Sequence, residues 1–164
     1  GKLDLDFHPT DVREMVDQVR DLISYEANQK ELDFIIDIDA EVPQSIEIDS
    51  VRLKQILINL LGNAVKFTNE GSISFRIISL EASETCRHKL RFQVADTGIG
   101  IRQENRDKIF KAFSQEDNST TRKFGGTGLG LSISNQLLGL MNSKLHVISE
   151  INHGSTFYFD LQVK

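Results

Sequence analysis

From Val51 to Val65 the residues Leu53, Ile56, Leu57, Leu60, Leu61 and Ala64 recur at helical spacing, while Asn59 and Asn63 share a different face. An apolar stripe of that kind has to be buried against another layer, so the helix presupposes a partner surface. Residues four apart stack on one face of a helix. Asn is a poor interior helix former because its amide competes for nearby backbone groups. Two on one face need a reason. Lys66 follows about one turn beyond Asn63 on nearly the same face.

The flanking pattern supplies the partner layer. Leu3, Leu5 and Phe7 alternate with polar residues and predict a half-buried strand. Thr10 is a candidate N-cap for a first helix reaching about Gln29, with Val12, Met15, Val16, Val19, Leu22 and Ile23 in its stripe. Phe34 to Ile38 reads as a strand, Val42-Pro43 as a break, and Ile46-Glu47-Ile48 as a short edge strand. Asp49 or Ser50 caps the central helix, and Asn69-Glu70-Gly71 stops it near Phe67. Strands follow at Ile73 to Ile77 and Leu90 to Ala95, joined by a polar hairpin region from Glu81 to Lys89. A short helix is expected around Arg106 to Phe110, then a polar, mobile loop from Ser114 to Lys123. A third helix runs from about Gly128 to Met141. Leu145 to Ser149 and Thr156 to Val163 form a last hairpin that turns at Asn152-His153-Gly154. This order predicts a two-layer α/β sandwich: a mixed five-stranded sheet, plus a short edge strand or hairpin, packed on three helices.

At 164 residues the chain is read as one domain, 1–164, long enough to bury a substantial core. The net charge of -5, without a long basic run, argues against a nucleic-acid partner and against direct contact with an anionic membrane. Cys86 is the single cysteine and lies in a polar stretch, so a reducing, cytoplasmic compartment is the simplest expectation. No apolar run reaches the roughly 20 residues of a membrane helix. A longer parent could still be membrane-anchored, and Gly1 at the start suggests an excised piece of one.

Four short motifs carry the chemistry. On the central helix, Asn59-x-x-x-Asn63-Ala64-Val65-Lys66-Phe67-Thr68 either shows two amides to solvent or offers them to a ligand. An amide oxygen is a good Mg²⁺ ligand when phosphates and waters complete the octahedron, and Lys66 could offset phosphate charge. Next, Asp96-Thr97-Gly98-Ile99-Gly100-Ile101 follows a strand. It is either a tight turn or a close approach to a flat ligand whose exocyclic amine donates to the carboxylate. Ile109-Phe110-x-x-Phe113 places two aromatics beside the polar loop, as a cleft cover or as a tether. Gly125-Gly126-Thr127-Gly128-Leu129-Gly130 opens the third helix. Bare N–H groups at a helix start bind anions, and the alternative is a flexible hinge. Walker and Rossmann patterns are absent. His8, His88, His146 and His153 read as structural or solvated, and no Ser/His/Asp or Cys/His arrangement is legible.

The ordered set, from Asp49 to Ser134, resembles the N box, glycine-aspartate box, F box and second glycine box of sensor histidine kinases. Their catalytic domain has the GHKL, or Bergerat, ATP-binding fold. Gly1 to Leu5 also resembles the segment after the helical dimerisation domain of such kinases, and Gly154-Ser155-Thr156-Phe157 resembles their last hairpin. The stretch Ser119 to Phe124 is similar to hybrid kinases that carry receiver domains.

The resemblance implies ATP and Mg²⁺ as cofactors. It implies Asn63 as the metal ligand, with Asn59 beside the phosphates and Lys66 on phosphate oxygens. Asn59 and Lys66 would be the catalytic residues, and Phe67 would border the nucleotide. Asp96 would bind the adenine amine, with Gly98, Gly100 and Ile101 shaping the base pocket. Gly126, Thr127, Gly128, Leu129 and Gly130 would meet phosphates, and Thr156 would lie near the base. Residues 102–124 would be the ATP lid. Many members carry an arginine where this chain has Gln115, which leaves γ-phosphate charge to Lys66, Arg122 and Lys123. Related ATPases place a glutamate at the Asn59 position to activate water, and Asn removes that general base. The implied function is presentation of the Mg-ATP γ-phosphate to a histidine on a separate helical phosphoacceptor domain, which this chain lacks. A response-regulator receiver would be an indirect partner in the phosphorelay. The alternatives are a non-catalytic ATP-sensing module and, less favoured by Asn59, a GHKL ATPase or an anti-sigma-type serine kinase.

Overall fold

The computed structural model describes residues 5–80, 88–97, 127–150 and 154–163, with backbone alone for 127–132 and 149–150. The elements in chain order are β1 (His8–Asp11), α1 (Val12–Gln29), β2 (Asp33–Ile38), β3 (Ser45–Ile48) and α2 (Ser50–Phe67). They continue with β4 (Ser72–Leu80), β5 (His88–Asp96), α3 (Thr127–Leu140), β6 (His146–Glu150) and β7 (Gly154–Val163). The main sheet has five strands in the order β2-β4-β5-β7-β6. Only β2 and β4 run parallel, because the α2 crossover joins them, and the other neighbours are antiparallel.

Alternation along the strands decides where the core lies. Ile73, Phe75 and Ile77 of β4, Leu90, Phe92 and Val94 of β5, and Phe157, Phe159 and Leu161 of β7 are all buried. They meet the stripes of the helix layer: Val12, Met15, Val16, Val19, Ile23 and Ala27 of α1, and Leu53 to Val65 of α2. Phe92 and Phe159 stack across the β5–β7 pair with ring centres 5.2 Å apart. The other sheet face is open. There Arg91 makes two hydrogen bonds to the Asp160 carboxylate, at 2.8 and 3.1 Å, and lies over the Tyr158 ring. Those bonds hold the guanidinium above its ordinary pKa.

Three local expectations need correction. The first strand starts at His8 rather than within the Leu3–Phe7 alternation. Before it, the Asp6 N–H donates to the Asp49 carboxylate at 2.9 Å, so the chain here helps cap α2 instead of joining a ladder. Leu3 lies outside the described residues. The cap of α1 is Asp11 rather than Thr10: Asp11 accepts from Glu14 N, whereas the Thr10 hydroxyl donates to His8 O. Ile46-Glu47-Ile48 does not edge the main sheet. It pairs with β1 as a separate two-stranded ladder that buries Ile46 and Ile48. For α2, Asp49 is the cap; its other carboxylate oxygen accepts from Arg52 N. The expected hairpin tip 81–87, the short helix near 106–110 and the loop 114–123 fall outside the described residues.

Helices α1 and α3 close on themselves. In α1, Leu32 N–H bonds to Ala27 O and Glu31 N–H to Asn28 O, with Glu31 at φ 58°. In α3, Ser143 N–H bonds to Leu138 O and Asn142 N–H to Gly139 O, with Asn142 at φ 60°. Both are Schellman turns. Asn tolerates the left-handed region; Glu does so at a cost.

Two glycines crowd the end of β5. Gly71, at φ 113°, could not carry a Cβ without striking the Thr97 hydroxyl. A Cβ on Gly154, at φ 89°, would overlap the Asp96 carbonyl. The Thr97 hydroxyl accepts from Ser72 N at 3.0 Å, and Thr97 N–H donates to Ser72 O. The last residues of β5 are therefore held from both sides.

Two substitutions test this account. Glu31→Gly removes the left-handed strain, offset in part by a freer unfolded chain, and is expected to stabilise by about 0.5–1 kcal/mol in urea denaturation. An unchanged or lowered midpoint counts against strain at Glu31. Gly154→Ala is expected to cost about 3 kcal/mol, because both the backbone conformation and the space are forbidden to a Cβ. A loss below about 1 kcal/mol would show that β7 can shift away from Asp96 at little cost.

Candidate functional site

The end of the sheet marked by Asp96 is where the candidate residues gather. In β5, Asp96 is in phase with Leu90, Phe92 and Val94, so its carboxylate faces the helix layer. It pairs with Ile73 on one side and Ser155 on the other. α2 finishes at Phe67, five residues before Ser72, and Ser72 is the residue that Thr97 clamps. The C-terminal turn of α2 therefore lies at the same end.

α3 runs the opposite way. Its C-terminal turn is tied to the far end of the sheet, where the Ser143 hydroxyl donates to Asp160 O at 2.6 Å. Asp160 is five residues along β7 from Ser155, roughly 17 Å at strand spacing. A helix of 14 residues spans roughly 21 Å. The first turn of α3, with Thr127, Gly128, Leu129 and Gly130, is thus carried back to the Asp96 end. Its leading N–H groups have no partner within the helix. The pole they make is positive, whereas α2 brings its negative C-terminal pole to the same place.

Between these helices sit the asparagines. Asn59 Nδ2 donates to the hydroxyl of Ser134, which is fully buried, at 3.4 Å. One turn closer to the Asp96 end, the Asn63 amide nitrogen is buried with no partner among the described residues. The reading of two solvent-facing amides does not hold: Asn59 ties α2 to α3, and Asn63 is half-buried. A buried amide donor without an acceptor is costly in an apo cleft. It is the kind of group that an acceptor-rich ligand satisfies. Lys66 is exposed one turn further on and takes part in a contact of its own, and Phe67 is 37% exposed beside it.

Thr156 is placed differently from its neighbours. It pairs with Ala95, out of phase with buried Phe157 and Phe159, and so projects from the open face, opposite to the Asp96 carboxylate. Ser155, which pairs with Asp96 and is buried, occupies the helix-facing position. The sequence reading passed over both Ser155 and Ser134. Strand phase would have found the first, since Ser155 is in step with Phe157, Phe159 and Leu161. Nothing local marks the second. Gly98, Gly100, Ile101, the lid 102–124, Arg122, Lys123 and Gly126 lie outside the described residues. Among the described residues no three His, Cys, Asp or Glu converge as a metal cluster, and no helix is long and apolar enough to cross a membrane.

Comparison with known proteins agrees with this geometry. Residues 48–164 match the family described as histidine kinase-, DNA gyrase B-, and HSP90-like ATPase. The chain is 40% identical over 161 residues to hybrid signal transduction histidine kinase B of Dictyostelium discoideum, covering 98% of this chain and 8% of that protein. It is 37% identical over 163 residues to the signal transduction histidine-protein kinase BarA of Escherichia coli K12, covering 99% of this chain and 18% of that one. The chain thus spans less than a fifth of either relative. Among solved structures, full-length ShkA in complex with AMPPNP superposes with a TM-score of 0.80 at 34% identity, covering 98% of this chain and 32% of that one. The nucleotide-free catalytic domain of histidine kinase ThkA gives 0.73 at 29% identity, covering 96% and 95%. With a helix-facing Asp96, the α2 asparagines and the α3 N-terminus gathered at one end of a mixed sheet, this chain belongs to the histidine kinase-, DNA gyrase B- and HSP90-like ATPase family.

Proposed function

We propose that the chain is the ATP-binding catalytic domain of a two-component sensor histidine kinase. It presents the γ-phosphate of Mg-ATP to a histidine on a separate helical domain of the same kinase. A receiver domain is the subsequent phosphate acceptor. The observation that carries this reading is the unpartnered Asn63 amide, buried at the end of the sheet where Asp96 faces inward and α3 begins.

The roles follow from the chemistry of each group. Asp96 accepts a hydrogen bond from the adenine exocyclic amine, which selects against guanine because that base has a carbonyl there. Asn63 would donate to a phosphate oxygen through Nδ2 and would offer its amide oxygen to Mg²⁺. The bound cation supplies charge neutralisation on the phosphates. Backbone N–H groups of Gly128, Leu129 and Gly130 hold phosphate oxygens, with Lys66 as a nearby cation and Arg122 and Lys123 as candidates from the lid. Gly98, Gly100 and Ile101 line the base, Gly126 and Thr127 lead into the phosphate turn, and Phe67 borders the nucleotide.

Asn59 has no carboxylate to activate water, and its amide is engaged with Ser134. Catalysis then rests on positioning and charge, with the nucleophile arriving from another domain. The relative named above as a hybrid kinase favours a parent that also carries a receiver.

Titration calorimetry tests the pocket. Asp96→Ala is expected to abolish the preference for ATP over GTP while the fold persists, and unchanged selectivity would remove Asp96 from the base pocket. Asn63→Ala is expected to erase the difference in ATP affinity measured with Mg²⁺ and with EDTA. An undiminished difference would show that the cation is held elsewhere. The activity is tested by mixing the chain, ATP and a separate helical phosphoacceptor domain. Acid-labile phosphate on histidine is expected. Tight ATP binding with no label supports a sensing module instead, and steady phosphate release by this chain alone supports an ATPase.

A further inference from the structure

The three helices among the described residues end in two different ways. α1 and α3 satisfy their last carbonyls with Schellman turns of their own backbone. α2 cannot. Its C-cap, Thr68, is extended at φ -110° and ψ 116°, because the chain must continue forward to lay Ser72 beside Thr97. A left-handed turn there would reverse it. The last carbonyls of α2 would be orphans, but Lys30, the C-cap of α1, reaches across. Its ammonium donates to Val65 O at 2.7 Å, Lys66 O at 3.1 Å and Thr68 O at 3.3 Å. All three N–H donors of the lysine are used. The Schellman turn at Glu31 fixes the backbone from which this side chain extends.

The electrostatic consequence is specific to an anionic ligand. A helix C-terminus carries partial negative charge, the wrong pole to turn toward a triphosphate. α2 brings that pole to the Asp96 end, beside the positive start of α3. We propose that Lys30 is a positioning residue of the nucleotide pocket. Its ammonium cancels the C-terminal pole of α2 and holds the turn that bears Lys66 and Phe67 in register. It does so from outside the cleft, through three carbonyls and without touching the ligand. The inference rests on the nucleotide reading given above and adds to it a residue that none of the four motifs contains.

The test compares a charged with an uncharged ligand. Calorimetry of Lys30→Met with ATP and with adenosine separates the electrostatic role from a merely structural one. ATP affinity is expected to fall about tenfold, the size expected when charge-assisted hydrogen bonds are lost, while adenosine affinity stays near that of the wild type. Lys30→Arg, which keeps charge and donors, is expected to restore most of the ATP affinity. Amide hydrogen exchange at Lys66 and Phe67, measured without ligand, is expected to accelerate in Lys30→Met and to remain slow in Lys30→Arg. Equal losses for ATP and adenosine, or an unaltered ATP affinity, would overturn the proposal. If Lys30→Met does not fold, Lys30→Gln carries the same comparison, since it keeps a donor and loses the charge. The wild-type titration separates the two layers: a wild-type chain that binds no ATP removes the pocket and this inference together, whereas wild-type binding with an indifferent Lys30 removes only the inference.

Discussion

Antiparallel pairing of β5 on both of its edges is the constraint on which the site depends. Because β4 and β7 grip β5 as far as Asp96, the phase of that strand is carried without slippage from Leu90 to its last residue. A slip of one residue would turn Phe92 and Val94 out of the core and Asp96 away from the helices. The cost of exposing those side chains is therefore also what aims the carboxylate. Gly71 and Gly154 tighten the same grip by letting neighbouring segments approach the Thr97 side chain and the Asp96-Thr97 backbone, respectively, more closely than any Cβ allows. The direction of a polar group is thus set by apolar packing several residues away.

The helix layer solves a complementary problem of polarity. Running α2 and α3 in opposite directions brings one positive and one negative helix pole to the same end of the sheet. On the proposed nucleotide reading, that geometry favours an anion beside the start of α3 and disfavours one beside the end of α2. The Asn59–Ser134 hydrogen bond ties the pair side by side, and the Lys30 ammonium sits where the unfavourable pole emerges. Both contacts lie within the scaffold, and on the proposed reading they prepare the cleft from behind. In this fold the boundary between packing and function runs through individual side chains rather than between regions.

Much of the layout was legible from the pattern of residues. The stripes of α1 and α2, the alternation in β4 and β5 and the two strands of the final hairpin appear close to where periodicity places them, since each is set by burial of a local apolar face. The misreadings are local competitions. Leu5 and Phe7 alternate like a strand, but the Asp6 N–H between them is captured by Asp49, forty-three residues away. Thr10 and Asp11 are both good capping residues, and only the observed start at Val12 separates them. Ile46 and Ile48 carry a strand signal that says nothing about which sheet receives them. The candidate site divides in the same manner. Asn63 and Asp96 were visible because amides and carboxylates beside glycines are conspicuous. Ser155 was hidden by a neighbouring threonine of similar chemistry, and Ser134 by the absence of any local oddity.

The sequence alone determined most of the elements, their amphipathic faces, the motif order that identifies the family, and an amide rather than a carboxylate at Asn59. Those properties are local, written in spacing and residue type. The tertiary structure decided that Ser155 stands beside Asp96 in the ladder, that Asn59 bonds to Ser134, and that Lys30 closes the end of α2. Each of these joins residues separated by tens of positions, from 35 between Lys30 and Val65 to 75 between Asn59 and Ser134. Such pairings are set by how the layers meet, through strand register and crossing helices, and no window along the chain is wide enough to contain both partners.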